Sequence, residues 1–170
     1  MKAWIQLLFP FLVLLLLSVP SHSQDRFYRV KRVVDGDTLL LTNGDRVRLI
    51  GVDTPEVHPS KKLYRDAERT GRDIKTIIAM GKKASAFTKS LVNKNEVRLE
   101  YDQANAQIGH RDKYGRVLAY VYLNDGTLVN AEIIKQGYGF AYTRFPFKHM
   151  EEFRRYEREA RENKRGLWEE

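Results

Sequence analysis

The sequence predicts an α+β domain in which a small closed β-barrel of five strands, in Greek-key order, carries about three helices. Three observations lead to this prediction. Short runs of aromatic and β-branched residues, each ended by a turn signal, recur along the chain as in antiparallel sheets. Helical periodicity is confined to one long segment after the third strand and to two segments near the C-terminus. Hydrophobic residues make up 42% of the chain, which argues against disorder.

The first half of the chain predicts two successive hairpins. Its three strands are 27–34, 39–41 and 46–49. Asp35-Gly36 separates the first two strands, and Asn43-Gly44 is a second tight-turn signal. In the third strand Val47 and Leu49 alternate with arginines, so one side of the strand faces a core. Two hairpins in a row make a three-stranded meander.

A long helix is predicted from about Arg72 to Val92, followed by two more strands and two helices. Its apolar positions recur at spacings of three and four and are Ile77, Met80, Ala84, Phe87 and Leu91. Gly81 within it is either a weak point or a place of close packing. The later elements are strands at 96–101 and 116–123 and helices at 129–136 and 148–163. Five short strands with a helix inserted after the third suit a barrel of the OB type.

Charge and cysteine content narrow the function classes. The 170 residues include 30 Lys+Arg and 22 Asp+Glu, a net charge of +8, which fits nucleic acid, anionic lipid or a cell-surface polymer as partner. The chain has no cysteine. Disulfide frameworks, thiolate nucleophiles, Cys-ligated zinc and iron–sulfur clusters are therefore excluded.

The N-terminus has the pattern of a secretory signal peptide. Lys2 precedes the apolar run 7–17, and Ser21 and Ser23 place small residues where a signal peptidase cleaves. We expect cleavage after Ser23, giving a secreted or periplasmic protein whose single domain is 24–170 and whose net charge is +7. The alternative is a membrane anchor, although the run is shorter than the roughly 20 apolar residues of a spanning helix. A monomer is the default expectation.

Three polar segments that core packing does not require are candidates for a catalytic site. They are 35–38, 48–56 and 112–116. Turn chemistry explains Asp35 and Gly36 but not Asp37, and the segment 53–56 alone would pass for a loop entering a helix. Taken jointly, Asp37, Asp53 and the Thr54 carbonyl supply the hard oxygen ligands that calcium prefers.

Phosphodiester hydrolysis also needs a base for water and positive charge at the phosphoryl oxygens. Glu56 is the candidate base. Arg48 and Arg116 are the candidate phosphate ligands, because a guanidinium donates two parallel hydrogen bonds to phosphate and stays charged. The alternative for each arginine is a solvated position on a strand.

The chain resembles the staphylococcal nuclease (thermonuclease) family over nearly all of the mature sequence. The matching segments are DGDT at 35–38, RLIGVDTPE at 48–56, ASAFTKSLV at 84–92, DKYGRVLAYVYL at 112–123, VNAEIIKQG at 129–137 and GLW at 166–168. The resemblance implies an OB-fold nuclease that uses calcium, cleaves single- and double-stranded DNA and RNA, and leaves 3′-phosphate and 5′-hydroxyl ends.

The same resemblance assigns roles residue by residue. Asp37, Asp53 and the Thr54 carbonyl match calcium ligands, Glu56 matches the general base, and Arg48 and Arg116 match the phosphate-binding arginines. Substrate contacts match at Lys113, Tyr114 and Tyr142.

The chain departs from the family pattern in two places. The segment 57–83 is longer and basic, and it would extend the nucleic-acid track, gate entry to the site, or form a solvated face. Phe145 stands near a second tyrosine of the pattern, so we expect any base stacking there to use the aromatic face alone, without hydrogen bonding by a hydroxyl.

The leading functional hypothesis is a secreted, calcium-dependent, sugar-nonspecific nuclease. The alternative is a catalytically silent OB module that only binds nucleic acid, which predicts loss of at least one of the five central site residues. All five are present. A third possibility, binding to an anionic cell-surface polymer, explains the charge but not the carboxylate pair beside two arginines.

Overall fold

Five strands close into a barrel in the computed structural model, which describes residues 26–93 and 96–169. The barrel strands are β1 (Phe27–Asp35), β2 (Thr38–Leu41), β3 (Arg46–Leu49), β5 (Glu96–Glu100) and β6 (Val117–Leu123). Two short strands, β4 (Val52–Asp53) and β7 (Phe140–Ala141), lie outside the barrel. The helices are α1 (Lys61–Thr70), α2 (Ile74–Val92), α3 (Val129–Lys135) and α4 (Met150–Glu162), with short 3₁₀ segments at Gln103–Ile108 and Gly166–Trp168. The predicted signal peptide lies outside the described residues.

The barrel order is β1-β2-β3-β6-β5, and β5 returns to pair with β1. The first three strands form the expected meander of antiparallel hairpins. β3 then pairs with β6 in parallel, with Val47 opposite Val117 and Arg48 opposite Leu118. This crossover confirms the predicted Greek-key barrel of the OB type and places the third and last barrel strands side by side.

Every second side chain along each strand points inward, and these side chains fill the barrel interior. Its fully buried members include Leu39, Leu41, Val47, Leu49, Val97, Ala119 and Val121. Asn130 of α3 joins the barrel wall to the helical layer, because its side chain donates to the Ile50 carbonyl at 2.9 Å and accepts from the Val121 amide at 2.9 Å. The β3–β6 wall is therefore held from outside as well as by its own ladder.

The structure differs from the sequence prediction by one helix and one small sheet. α1 lies in the basic segment 57–83, where no separate helix was expected. It begins at the N-cap Ser60, which accepts from the Leu63 amide at 3.1 Å, and ends at Gly71 in the left-handed conformation. β4 and β7 pair as a two-stranded antiparallel sheet beside the barrel. Both elements adjoin the predicted site.

α2 packs on the barrel through small side chains at its centre. Its buried positions are Ile77, Gly81, Ala84, Thr88 and Val92. The expected apolar residues Met80, Phe87 and Leu91 lie at the edge of this face and are only partly buried. Within the part of the chain that the structure describes, no helix has both the length and the apolar character needed to cross a bilayer.

Candidate active site

Asp37 is the buried member of a cluster that it forms with Arg48 and Asp53. It lies in the turn between β1 and β2 and is 7% exposed. Its Oδ1 accepts from the Thr38 hydroxyl at 3.0 Å, and its Oδ2 accepts from the amide and hydroxyl of Thr54 at 3.0 and 3.2 Å. Gly36 permits this approach, since a Cβ there would lie 2.8 Å from the Thr54 side chain. The first and second polar segments thus meet at one carboxylate.

Arg48 bridges the two carboxylates that the sequence proposes as metal ligands. Its Nη1 lies 2.7 Å from Asp37 Oδ1, and its Nη2 lies 3.4 Å from Asp53 Oδ1. The strand pattern sets this position, because Val47 and Leu49 face the barrel interior and Arg48 therefore leaves the wall on the other side. The structure brings Asp37, Arg48 and Asp53 together as a single cluster.

The loop 53–56 carries Asp53, Thr54 and Glu56 past this cluster. It starts in β4, where Asp53 is paired with Phe140 of β7. Glu56 is 30% exposed at its side chain, and its Oε2 accepts from the Ser60 hydroxyl at 3.3 Å. Gly81 of α2 lies against the carbonyls of Pro55 and Glu56. The loop is therefore held by β7 on one side and by the two helices on the other.

Lys62 is a site residue that sequence reasoning missed. Its Nζ donates to the Thr54 carbonyl at 3.0 Å and lies 3.4 Å from Asp53 Oδ2 and 3.5 Å from Glu56 Oε1. A fourth oxygen, Asp66 Oδ2, lies 3.1 Å away on the next turn of α1. No sequence signal separated Lys62 from the other basic residues of the segment 57–83, because its role depends on a helix that was not predicted.

Burial and charge act in opposite directions on the acids and bases of the cluster. Burial alone would raise the pKa of Asp37, but the Arg48 guanidinium and three hydrogen-bond donors outweigh it and the pKa is lowered. Burial raises the pKa of Asp53 despite the opposing charge of Lys62. Burial, with the charge of Asp37, raises the pKa of Asp35 to about 7.

The two cations of the cluster are held in their charged forms. Burial would lower the pKa of Arg48, yet the neighbouring carboxylates, Asp37 first, raise it. The pKa of Lys62 is raised in the same way, chiefly by Asp53. With Asp37 ionised and both cations charged, the cluster is held together by pairs of opposite charge.

Arg116 projects from the same side of the barrel wall as Arg48. It is the residue immediately before β6, whose first residue Val117 is buried and pairs with Val47, so by alternation both arginines point away from the barrel interior. The Arg116 guanidinium is paired with Asp112, through Nε at 2.8 Å and Nη2 at 2.7 Å. Asp112 also accepts from the amides of Tyr114 and Arg116, so this one carboxylate shapes the loop and orients the arginine.

The three predicted substrate contacts, Lys113, Tyr114 and Tyr142, lie on exposed loops. Tyr114 is 72% exposed, and its ring is approached by Lys113 Nζ at 5.1 Å and by the Arg116 guanidinium at 5.5 Å. Tyr142 directly follows β7, and its amide donates to the Gly51 carbonyl at 2.9 Å. Its ring is 6.3 Å from that of Phe145. Two aromatic surfaces flanked by cations are thus open to solvent.

These features define an OB-fold barrel whose outer wall carries Arg48, bound to the carboxylates of Asp37 and Asp53, and next to it a loop in which Arg116 is paired with Asp112. The chain belongs to the staphylococcal nuclease family: the family model described as "Staphylococcal nuclease homologue" matches residues 46–170.

Three relatives illustrate this membership. The chain is 33% identical over 153 residues to a thermonuclease of Staphylococcus hyicus, covering 87% of this chain and 79% of the relative. It is 37% identical over 155 residues to endonuclease YncB of Bacillus subtilis, covering 87% and 65%. It is 36% identical over 160 residues to the uncharacterized protein MJ1439 of Methanocaldococcus jannaschii, covering 88% and 74%. Relatives named as nucleases support a nuclease function for this chain.

Proposed function

We propose that this chain is an exported, calcium-dependent nuclease that hydrolyses DNA and RNA to 3′-phosphate and 5′-hydroxyl products. The observation that carries the proposal is the cluster around Arg48, which joins Asp37 and Asp53 and has the Thr54 carbonyl and Glu56 at its edge. Turn formation and core packing do not require two carboxylates on one half-buried arginine. Phosphodiester hydrolysis at a metal site uses both kinds of group, because carboxylates hold the cation and a guanidinium binds the phosphate.

The donor set fits a calcium ion. Among residues 26–93 and 96–169 no group of three His, Cys, Asp or Glu side chains forms a metal site by itself. The proposed ligands are instead two carboxylates and one main-chain carbonyl, all hard oxygens. The Thr54 carbonyl and the Asp53 carboxylate already attract an ammonium group, which supports a cation position beside them. Asp37, Asp53 and Thr54 would hold calcium, and calcium would supply positive charge to the phosphoryl oxygens.

The other site residues bind the phosphate and activate the water. Arg48 and Arg116 bind the phosphate and stabilise the charge that builds on its oxygens in the transition state. Glu56, which is partly exposed, orients a water molecule and accepts its proton as the new bond to phosphorus forms. The bond to the 5′-oxygen breaks, that oxygen takes a proton from solvent to become a hydroxyl, and Glu56 releases its proton to solvent. Contacts confined to phosphate carry no base information, so we expect little sequence preference.

Lys113, Tyr114 and Tyr142 are proposed to hold the substrate beside the cluster. The exposed tyrosine rings provide stacking surfaces, and Lys113 adds positive charge near a terminal phosphate. We further propose that residues 1–23 are removed on export and that 24–170 acts as a single domain and as a monomer. Mass spectrometry of the exported protein would test the cleavage position after Ser23.

The test compares cleavage of DNA and of RNA in excess calcium with cleavage in excess chelator, followed by analysis of the product ends. We expect calcium-dependent cleavage that leaves 3′-phosphates. Glu56→Gln should lower turnover by about 100-fold or more while thermal unfolding is unchanged, because Glu56 is outside the core. Glu68→Gln, an equal charge change at an exposed position of α1, is the matched control. Salt-sensitive binding without cleavage would instead establish the silent OB module.

A further inference from the structure

The Lys62 ammonium lies among oxygens that belong to the proposed cation site. Its four neighbours are the Thr54 carbonyl at 3.0 Å, Asp66 Oδ2 at 3.1 Å, Asp53 Oδ2 at 3.4 Å and Glu56 Oε1 at 3.5 Å. Two of these residues are proposed calcium ligands, and a third is the proposed base. Three carboxylates and one carbonyl around a single positive charge form a cation site in which the cation is part of the chain.

We propose that Lys62 is a tethered cation that competes with calcium for the active site, so that α1 sets the metal affinity of the enzyme. The inference rests on the proposed function, since it assumes that Asp53 and Thr54 are calcium ligands. It explains why a lysine whose side chain is only 24% exposed points toward the cluster instead of into solvent. It also gives the basic segment 57–83 a gating role, in place of that of a solvated face.

The geometry of α1 suits a competing element. The helix begins at Ser60, whose hydroxyl both caps the Leu63 amide and donates to Glu56, so the helix start is joined to the site loop. Asp66 lies one turn after Lys62 and supports the ammonium from the helix side. Leu63 is the one buried residue of α1. A ten-residue helix anchored by one buried side chain can shift at modest cost when its lysine is displaced.

Competition has a defined consequence for binding. Calcium and the Lys62 ammonium cannot share the Asp53 Oδ2 and Thr54 oxygens, so calcium binds only to molecules in which Lys62 has withdrawn. If Lys62 occupies the site in about nine tenths of the molecules, the apparent dissociation constant is about tenfold higher than for a site without the lysine. A substrate phosphate that strengthens calcium binding would favour the withdrawn state further.

Calcium titration of the exported protein by calorimetry tests this competition directly. Lys62→Met removes the charge and keeps most of the side-chain length. Lys61→Met removes an equal charge from the exposed neighbour on the same helix and is the control. We expect Lys62→Met to bind calcium about tenfold or more tightly than the wild type and Lys61→Met to match the wild type. Equal affinities for Lys62→Met and Lys61→Met would overturn the inference.

A second measurement reports on Lys62 itself in the wild-type protein. Acylation of lysine amines, read by mass spectrometry, should be slow at Lys62 in chelator and several-fold faster in saturating calcium, while Lys61 reacts at one rate in both. Unchanged labelling of Lys62 in saturating calcium would overturn the inference even if the proposed function holds. If calcium binds to neither the wild type nor Lys62→Met, the calcium requirement fails and the inference fails with it.

Discussion

Gly81→Ala is a direct test of how the loop 53–56, which carries the proposed base, is positioned. Gly81 is buried in the middle of α2, and a Cβ built there would lie 2.6 Å from the Pro55 carbonyl oxygen and 2.7 Å from that of Glu56. Ordinary contact begins at 3.4 Å, so the loop and the helix must separate by about 0.8 Å. The atoms that must move are backbone atoms, and they include the carbonyl of the proposed base.

The expected effect is large on activity and small on stability. Alanine is favoured over glycine in a helix interior by about 1 kcal/mol, which offsets part of an overpacking cost of about 1 to 3 kcal/mol. The net loss in the free energy of unfolding is therefore about 0 to 2 kcal/mol. A displacement of the base by somewhat less than 1 Å is expected to lower turnover by up to about 100-fold.

The assay is the rate of DNA cleavage in saturating calcium, measured together with urea unfolding of the same preparation. Val92→Ala is the control, because Val92 is 1% exposed in the same helix but lies three turns from the loop, and its truncation costs about 2 kcal/mol through a cavity. We expect Val92→Ala to cleave at the wild-type rate under conditions where it is folded. Wild-type turnover of Gly81→Ala, or an equal loss in Val92→Ala, would refute the reasoning.

Two further predictions concern the second arginine and a buried carboxylate. Arg116→Ala should lower kcat/KM by about 100-fold with the fold intact, measured beside Arg154→Ala, an exposed charge-matched control; equal activity of the two would exclude Arg116 from phosphate binding. Tyr120→Phe removes the 2.5 Å hydrogen bond to Asp102 and should lower the free energy of unfolding by about 1 to 3 kcal/mol in urea.

The same variant should change the acid limb of the stability curve. Burial alone would raise the pKa of Asp102, but the Lys148 amide and the Tyr120 hydroxyl outweigh it, so the pKa is lower than the ordinary 3.8. The carboxylate therefore stabilises the fold fully above about pH 4, and this contribution is lost as the pH falls through the folded pKa. Tyr120→Phe should show a shallower loss below pH 4, and an unchanged slope would contradict this assignment.

Most of the barrel could be predicted from the sequence because its strands carry local signals. The alternation of Val47 and Leu49 with Arg46 and Arg48 identifies the buried side of β3, and Asn43-Gly44 identifies the turn before it. β4 and β7 were missed because they are two residues long, too short for any periodicity. α1 was missed because its apolar residues are few, namely Leu63, Tyr64 and Ala67, and only Leu63 is buried.

The same distinction between local and tertiary signals explains which parts of the site could be predicted. The register of β3 and the turn after β1 place Arg48 against Asp37, and both features were visible in the sequence. The pairing of Arg116 with Asp112 was not foreseen, because a loop carboxylate four residues away competes with any distant partner. Lys62 could not be found at all without the helix that carries it. The position of Lys62 depends on how the segment 57–83 packs against the site, which local sequence signals do not describe.

The two halves of the site are positioned by different parts of the fold. The barrel fixes one half: Thr38 and Arg48 are paired in its wall, and Asp37 lies in the turn directly before Thr38. The loop 53–56 is positioned by contacts from outside the barrel: Gly81 and α2 behind it, Ser60 and Lys62 of the α1 region in front. We therefore expect a change in α1 to act on the loop side of the proposed cation site, while the barrel wall that carries Arg48 keeps its geometry. We expect variation in the segment after Glu56 to change what Asp53 and the Thr54 carbonyl contribute to calcium affinity and to leave the positions of Asp37 and Arg48 unchanged.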